Sequence, residues 1–235
     1  MTPRQVLDIE YQLLPGTNRK TTDIVIERNG VIAVRPPLDM PPEQVDMVVR
    51  SKRMWIYRNL AEWRDLNATA VVREWVNGET FLYLGSSYRL SLISKQEEIL
   101  KLKEGRFCLN REIIDAGGTD AAKKAFEHFY IEKGTSRLKE RVARYAPKIG
   151  VKPTLLTVKE MGYRWASCSP SNALSFHWKC MMAPIKIIDY IVVHELCHIH
   201  QRDHTDAFWN EVDKVMPDYL ERKEWLKRYG AGLSL

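Results

Sequence analysis

The hydrophobic pattern predicts strands in the first part of the chain. Two β-branched runs flank Asn29-Gly30 within residues 23–35, and this dipeptide favours the tight turn of a β-hairpin. Apolar residues then recur at helical spacing from about 42 to 67, which predicts one amphipathic helix. The residues on its buried face would be Val45, Val48, Val49, Ile56, Leu60 and Trp63.

The middle of the chain predicts more hairpins and a long helix. Alternating apolar residues and a second Asn-Gly, at 77–78, indicate strands over about 73–93, and a further hairpin is predicted around Glu104-Gly105. Residues 119–146 predict a helix that Gly134 interrupts. Its buried side would hold Ala122, Phe126, Phe129, Leu138, Val142 and Tyr145.

The last third predicts two short strands followed by three helices. The strands are TLLTVKEM and ALSFHW, and either could offer an edge to an extended peptide. A helix is predicted from about Pro184, and AFWNEVDKVM and YLERKEWLKRY predict two more. The fold class is therefore α+β, with an N-terminal β-hairpin and helix region at 1–112 and a second region at 113–235.

Composition excludes several classes of protein. A chain of 235 residues that is 45% hydrophobic and 28% charged can bury a core without disulfides. We find no internal repeat, no membrane span and no signal peptide at the start. The cysteines are widely spaced with no CxxC pair, which indicates a reducing cytoplasm and argues against a cysteine zinc site. They are Cys108, Cys168, Cys180 and Cys197.

The net charge of +6 raises the question of a nucleic-acid partner. Basic and acidic residues are interspersed almost everywhere, and the chain has no basic run with interleaved aromatics and no recognisable nucleic-acid module. Nucleic acid is therefore a possible partner that no motif supports. The oligomeric state cannot be read from the sequence.

The helix that begins near 184 carries the strongest chemical signal. His194 and His198 are four residues apart, so both imidazoles project from one side of the helix and can share one metal ion. Glu195 lies about 100° round the helix from His194, near enough to take a proton from metal-bound water without binding the metal itself. This H-E-x-x-H spacing is typical of zinc hydrolases.

A catalytic zinc needs a third protein ligand and an open fourth position, and His204 supplies the ligand. It follows His198 by six residues, which lets the chain leave the helix and turn back to the metal. Metzincins use a glycine in this turn, and this chain has Gln201 at that position. We expect His200 to be exposed and Cys197 to be a small buried hydrophobic residue.

Several sequence blocks occur in the order and at the spacing that a known family shows. They are RWASCS at 164–169, AP at 183–184, DYIVVHELCH at 189–198, His204 with Phe208-Trp209, and PDY at 217–219. With them the chain resembles the YgjP-like metallopeptidases, zincins related in design to the SprT-type proteases. The resemblance implies a zincin-like C-terminal core, Zn²⁺ on the three histidines, Glu195 as the base, and a protein or peptide substrate.

The chain departs from the family pattern at two positions, Ala166 in place of a glycine and His177 in place of an asparagine. The residues do not name the second stabiliser of a tetrahedral oxyanion, for which Arg164, His177 and Tyr219 are candidates. Two alternatives to a peptidase stay open. One is a zinc hydrolase of another amide or ester, and the other is a zinc-bound adaptor for protein or nucleic acid.

Overall fold

The structure is a computed structural model that describes residues 2–18, 21–26, 30–67, 73–162 and 164–235. Its contacts separate two units, Met1–Ala70 and Val71–Leu235. Helices and mixed sheets occur in both, so the predicted α+β class is confirmed, with its N-terminal hairpins and one long helix. The division of the sequence at 112/113 differs from the boundary at 70/71 and stays a prediction about where the catalytic region begins.

The first unit contains a four-stranded sheet. Its strands are β1 (Thr2–Val6), β2 (Ile9–Leu13), β3 (Asp23–Ile26) and β4 (Ile32–Arg35), in the order β1-β2-β4-β3. The outer pairs are antiparallel and the central pair, β2 and β4, is parallel. The predicted hairpin over 23–35 is confirmed, although Asn29 lies outside the described residues.

Two helices follow where the sequence predicted one, α1 (Pro42–Ser51) and α2 (Arg53–Asn67). Helix α1 ends at Ser51, and the backbone N–H of its C-cap residue, Lys52, donates to carbonyls of the last helical turn. The predicted buried face is largely correct, since Val45, Val49 and Ile56 are fully buried. Val48 and Leu60 are half-buried, and the side chain of Trp63 lies outside the described part of the structure.

The second unit begins with another four-stranded sheet. Its strands are β5 (Thr80–Tyr83), β6 (Ser86–Ile93), β7 (Leu100–Lys103) and β8 (Arg106–Asn110), in the order β5-β6-β8-β7. The hairpin predicted at Glu104-Gly105 is confirmed. The turn between β5 and β6 lies at Leu84-Gly85, both at positive φ, whereas Asn77-Gly78 forms a turn that precedes β5.

The two four-stranded sheets have the same topology. In each, two antiparallel hairpins join through a parallel pair of inner strands, and a helix follows the last strand. The expectation of no internal repeat concerned the sequence alone, and the shared strand order is a separate finding about the architecture. A parallel pairing between hairpins leaves no local sequence signal, which explains why the sequence does not show it.

Helix α3 (Arg111–Ile149) is the long helix, and it is kinked at Gly118, whose φ of 62° and ψ of −157° are not helical. A short helical segment therefore precedes the kink, and the helix predicted from about 119 follows it. All six residues of its predicted buried side are buried. Gly134 does not interrupt the helix. It allows close packing instead, because a Cβ there would lie 3.0 Å from the Met181 side chain.

A three-stranded sheet follows, made of β9 (Leu155–Lys159), β10 (Ala166–Cys168) and β11 (Ala173–His177) in the order β10-β11-β9. The sequence prediction missed β10, a strand of three residues. Strand β11 is central, so the expectation that ALSFHW could offer an edge is wrong, whereas TLLTVKEM does supply an edge strand, β9.

The chain ends with a short 3₁₀ helix (Trp178–Met182) and three helices, α4 (Ile185–Cys197), α5 (Asp206–Val215) and α6 (Tyr219–Tyr229). The three helices were predicted correctly. Helix α4 packs against α3, and nearly all of its side chains are buried in the core of this unit. Among the described helices, none combines the length and apolar character that a bilayer span requires.

Candidate metal centre

Helix α4 is fixed in place by the turn between β5 and β6. The backbone N–H groups of Leu84 and Gly85 donate to the carbonyls of Met181 and Met182, at 2.7 and 3.2 Å. A Cβ on Gly85 would approach the Pro184 Cα to 2.7 Å, so only glycine fits between the turn and the start of α4. Pro184 then serves as the N-cap of the helix.

The three predicted histidine ligands come together at the other end of α4. The Nε2 atom of His194 lies 3.2 Å from that of His198 and 2.9 Å from that of His204, and the third separation is 3.1 Å. Nitrogens bound to one tetrahedral zinc at about 2.0–2.1 Å lie roughly 3.3 Å apart, so the triangle has suitable dimensions. The three residues could therefore hold a metal ion.

The turn from His198 to His204 needs no glycine. His198 ends the helix, and the next residues continue as a hydrogen-bonded turn in which the Gln201 N–H donates to the Cys197 carbonyl at 2.9 Å. Gln201 has a negative φ, unlike a left-handed glycine turn. Its carbonyl lies 2.9 Å from His198 Nδ1, so Nδ1 carries the hydrogen and Nε2 presents its lone pair to the site.

Phe208 forms the floor beneath the histidines. This fully buried ring lies 4.5 Å from the His198 ring and 4.9 Å from those of His194 and His204, between centroids. One residue at the start of α5 therefore restrains all three imidazoles. Phe208 stands in a motif block of the sequence and was expected to be core packing more than a substrate wall, which its full burial agrees with. Nothing in the letters shows that one ring reaches three histidines.

The outer side of the site is a stack of aromatic rings. The indole of Trp209 lies against His204 at 5.6 Å and against Tyr219 at 5.4 Å, nearly parallel to each. The Lys223 ammonium lies 3.9 Å from the centroid of Trp209. Because His204 is itself exposed, this stack supplies the packing that holds the third imidazole.

Glu195 is a buried carboxyl group with 6% of its surface exposed. Burial raises its pKa to about 8, and the positive charge of Arg164 opposes the rise in part. A cation held by the histidines would lower this pKa, because it favours the ionised carboxylate. The protonation state of Glu195 is therefore set by its burial, by Arg164 and by any cation that the histidines hold.

The histidines themselves are kept neutral. Burial, together with the neighbouring imidazoles, lowers the pKa of His194 to about 3. Burial also lowers the pKa of His198 and of His204. Only neutral imidazole offers a lone pair to a metal, so the site is prepared for binding at neutral pH.

The neighbours of the ligands agree with the sequence analysis. His200 is exposed and bonds Glu211 through Nδ1 at 2.5 Å, away from the triad. Cys197 is fully buried in the apolar core, and burial raises the pKa of its thiol to about 12. A thiol of that kind stays protonated and behaves as a small hydrophobic side chain.

Arg202 is a residue that the sequence analysis missed. Its guanidinium donates to the Ser169 carbonyl at 2.8 Å and to the Pro170 carbonyl at 3.3 Å, and it also bonds the Asn172 side chain. It thereby ties the segment between His198 and His204 to the turn between β10 and β11. A single arginine between two histidines gives no signal in the sequence, since its partners lie 30 or more positions away.

The three candidate oxyanion stabilisers have different surroundings. Arg164 is exposed and acts electrostatically on Glu195. His177 is buried, accepts a hydrogen bond from the Lys179 N–H through Nδ1, and has Nε2 2.9 Å from Glu160. It caps the 3₁₀ helix, as an asparagine at this position would. Tyr219 is half-buried under Trp209.

Comparison with known proteins adds the family to this geometry. A family model of the YgjP-like metallopeptidase domain matches residues 20–229. The chain belongs to the YgjP-like family. The resemblance seen in the sequence is thus confirmed, and the family makes the chain a metallopeptidase, an enzyme class that acts with a metal ion on peptide substrates.

A solved structure is also similar, the crystal structure of the metallopeptidase zymogen of Pyrococcus abyssi abylysin. The identity is 19% and the TM-score is 0.35, and the match covers 37% of this chain and 89% of that chain. A likeness this low adds nothing to the assignment of the site. No curated protein matches the chain.

Proposed function

We propose that the protein is a zinc metallopeptidase in which His194, His198 and His204 hold the metal and Glu195 is the general base. The observation that carries the proposal is the triangle of Nε2 atoms with sides of 2.9 to 3.2 Å, next to a buried carboxyl group on the same helix. Three nitrogen ligands and one open position are the donor set of catalytic zinc.

The chemistry divides between the ion and the chain. When bound, zinc would lower the pKa of a water molecule and polarise the carbonyl of the scissile bond. Glu195 takes a proton from that water and returns it to the leaving amine. Arg164, whose charge already reaches Glu195, is the best placed of the three candidates to act on a developing negative charge near that carboxylate.

The peptide would bind along the β10 edge of the three-stranded sheet. Strand β10 pairs only with β11 among the described strands, and it packs against α4. An extended substrate that adds to this edge would run alongside the helix that carries the ligands. Arg202 is bonded to the β10–β11 turn and lies between His198 and His204 in sequence. It would therefore fix the position of the β10 edge relative to the metal.

The test is metal analysis of the purified protein together with a proteome-wide cleavage screen. The protein should contain one zinc ion per chain and produce new peptide termini. Glu195→Gln removes the base but keeps the size of the side chain, so it should retain zinc and abolish cleavage. His200→Ala, outside the triad, should leave both unchanged.

The alternatives give other results. A zinc hydrolase of another amide or ester would show a Glu195-dependent turnover of small substrates without new peptide termini. A zinc-bound adaptor would show a binding activity that Glu195→Gln leaves intact. We place the enzyme in the cytoplasm, a proposal that the four free cysteines support.

A further inference from the structure

A groove of about 950 Å³ lies between strand β7 and helix α3, and no residue of the histidine triad lines it. One wall is β7 itself, Leu100–Lys103, the edge strand of its sheet. The other wall is one face of α3, formed by residues at helical spacing. They are Ala121, Lys124, Ala125, His128 and Glu132.

The open edge of β7 presents backbone groups to this groove. With a two-residue turn at Glu104-Gly105, Lys103 and Arg106 form a hydrogen-bonded pair, and the pairing then alternates along the hairpin. Ile99 fits the alternation, because its carbonyl accepts the Asn110 N–H at 2.9 Å. The N–H and C=O groups of Leu100 and Leu102 therefore point away from β8, and among the described strands none pairs with that side.

The groove has an apolar floor and a basic rim. Phe129 and Ala125 are buried at its base, and Ile99 leaves 52% of its surface exposed at one end. Its lining includes five basic side chains and only two acidic ones. Lys101 and Lys133 pair with those two, and Lys103 and Arg137 pair with glutamates outside the lining, so the positive charge that is left over is that of Lys124. In the described part of the chain, no ion pair involves Lys124, which is exposed on α3.

The dimensions suit an added strand. The groove-lining face of α3 from Ala121 to Glu132 spans about 16 Å at 1.5 Å per residue. Five residues of extended chain span about the same length. A second copy of this basic edge would be repelled, since lysines on an edge strand oppose pairing between identical chains. A strand that carries acidic side chains would instead be attracted to this edge.

We propose that the β7–α3 groove binds an extended, acidic peptide segment, which pairs with the outer edge of β7 and places alternate apolar side chains over Phe129. The segment would belong to a partner protein that binds this chain away from the histidine triad. The proposal concerns binding alone and stands whether or not the peptidase assignment is correct.

The test is binding of a fluorescent nine-residue peptide of alternating valine and glutamate, measured by anisotropy with the full chain carrying Glu195→Gln. Two further peptides carry N-methyl groups on either the odd or the even amides. Only every second amide of a strand faces its neighbour, so one methylated peptide should lose binding and the other should keep it. Equal binding of both would overturn the pairing.

Charge is tested on the protein. Lys124→Glu should weaken binding of the acidic peptide about tenfold. Lys123→Glu makes the same charge change at a neighbouring exposed position of α3 that does not line the groove, and it should have little effect. The methylated peptides require no protein variant, so a folding defect in Lys124→Glu would not remove the test.

Four outcomes overturn the proposal. They are no binding up to millimolar protein, equal affinity for the valine and lysine analogue of the peptide, equal loss in Lys123→Glu and Lys124→Glu, and self-association through β7 that the peptide does not reverse. The last would mean that a second copy occupies the groove. Cleavage is not measured, so failure here and failure of the peptidase proposal are distinct results.

Discussion

The ring of Phe208 stacks on the imidazole of His198, with 4.5 Å between centroids and 30° between planes. Because the same ring also contacts the other two histidines, the candidate metal site would depend on a side chain that cannot bind metal. Locked ligand rotamers keep the three lone pairs convergent, and a loose floor would let them separate.

Phe208→Leu should therefore weaken zinc binding more than it weakens the fold. We expect a loss of about tenfold in zinc affinity, within the range for residues that orient metal ligands. Competition with a chromogenic chelator measures it. Phe176→Leu, at a fully buried position in β11, is the matched control and should lower stability with little change in affinity. Equal affinity losses in both variants would contradict the role of Phe208.

Gly85, in the turn between β5 and β6, should be more sensitive to substitution than Gly78, in the turn that precedes β5. Gly85→Ala meets both a positive φ of 83° and the Pro184 backbone, 2.7 Å from the new Cβ. Gly78→Ala, at φ 91° with open space, meets only the backbone strain of about 1 kcal/mol. Urea unfolding should show a loss for Gly85→Ala that exceeds the loss for Gly78→Ala by about 1–3 kcal/mol. Equal losses would mean that the approach to Pro184 relaxes freely.

The histidine cluster could be predicted from the sequence because a helix converts a spacing of four residues directly into a shared face. His194, Glu195 and His198 need no knowledge of the rest of the chain. The positions of His204 and Phe208 depend on how α5 returns to α4, and this path is a tertiary property. The sequence suggested the third ligand by its distance of six residues, but it could not show the shared aromatic floor.

The sheets show the same limit. Hairpins such as β7 and β8 were predicted because their turn residues lie between adjacent strands. The parallel pairs β2–β4 and β6–β8 join strands from different hairpins, so the repeated topology stayed hidden. Strand β10 was missed because three residues are too few for a periodic signal.

Asp46 should make the first unit sensitive to acid. Its carboxylate receives the Arg4 guanidinium at 2.6 Å and the Tyr11 hydroxyl at 2.7 Å. The Arg4 hydrogen bond, aided by that of Tyr11, lowers the pKa of Asp46 below 3.8. A lowered carboxyl pKa adds stability above the unfolded value of 3.8, and this stability is lost as the pH falls through the folded value.

Asp46→Asn should thus destabilise the protein at pH 7 by about 1 kcal/mol, in the range for a hydrogen-bonded pair that water partly screens. The difference from the wild type should shrink as the pH falls below 3.8, the ordinary carboxyl value. Urea unfolding at several pH values measures it. Asp39→Asn, on an exposed residue of the same unit, serves as the control and should show a smaller effect at every pH. A constant difference across the range would contradict the titration of Asp46.

Metal removal should have different effects in variants of His204 and of His200, two exposed histidines that are four residues apart. A ligand that binds only the folded state stabilises it by RT ln(1 + [L]/Kd), about 4 kcal/mol at a thousandfold excess over Kd. Chelation should therefore lower the melting temperature of the wild type and of His200→Ala by similar amounts. His204→Ala should already melt near the temperature of the chelated wild type and respond weakly to chelator, because two protein ligands bind zinc much less tightly than three. If His204→Ala keeps the full response, the third ligand has been assigned wrongly.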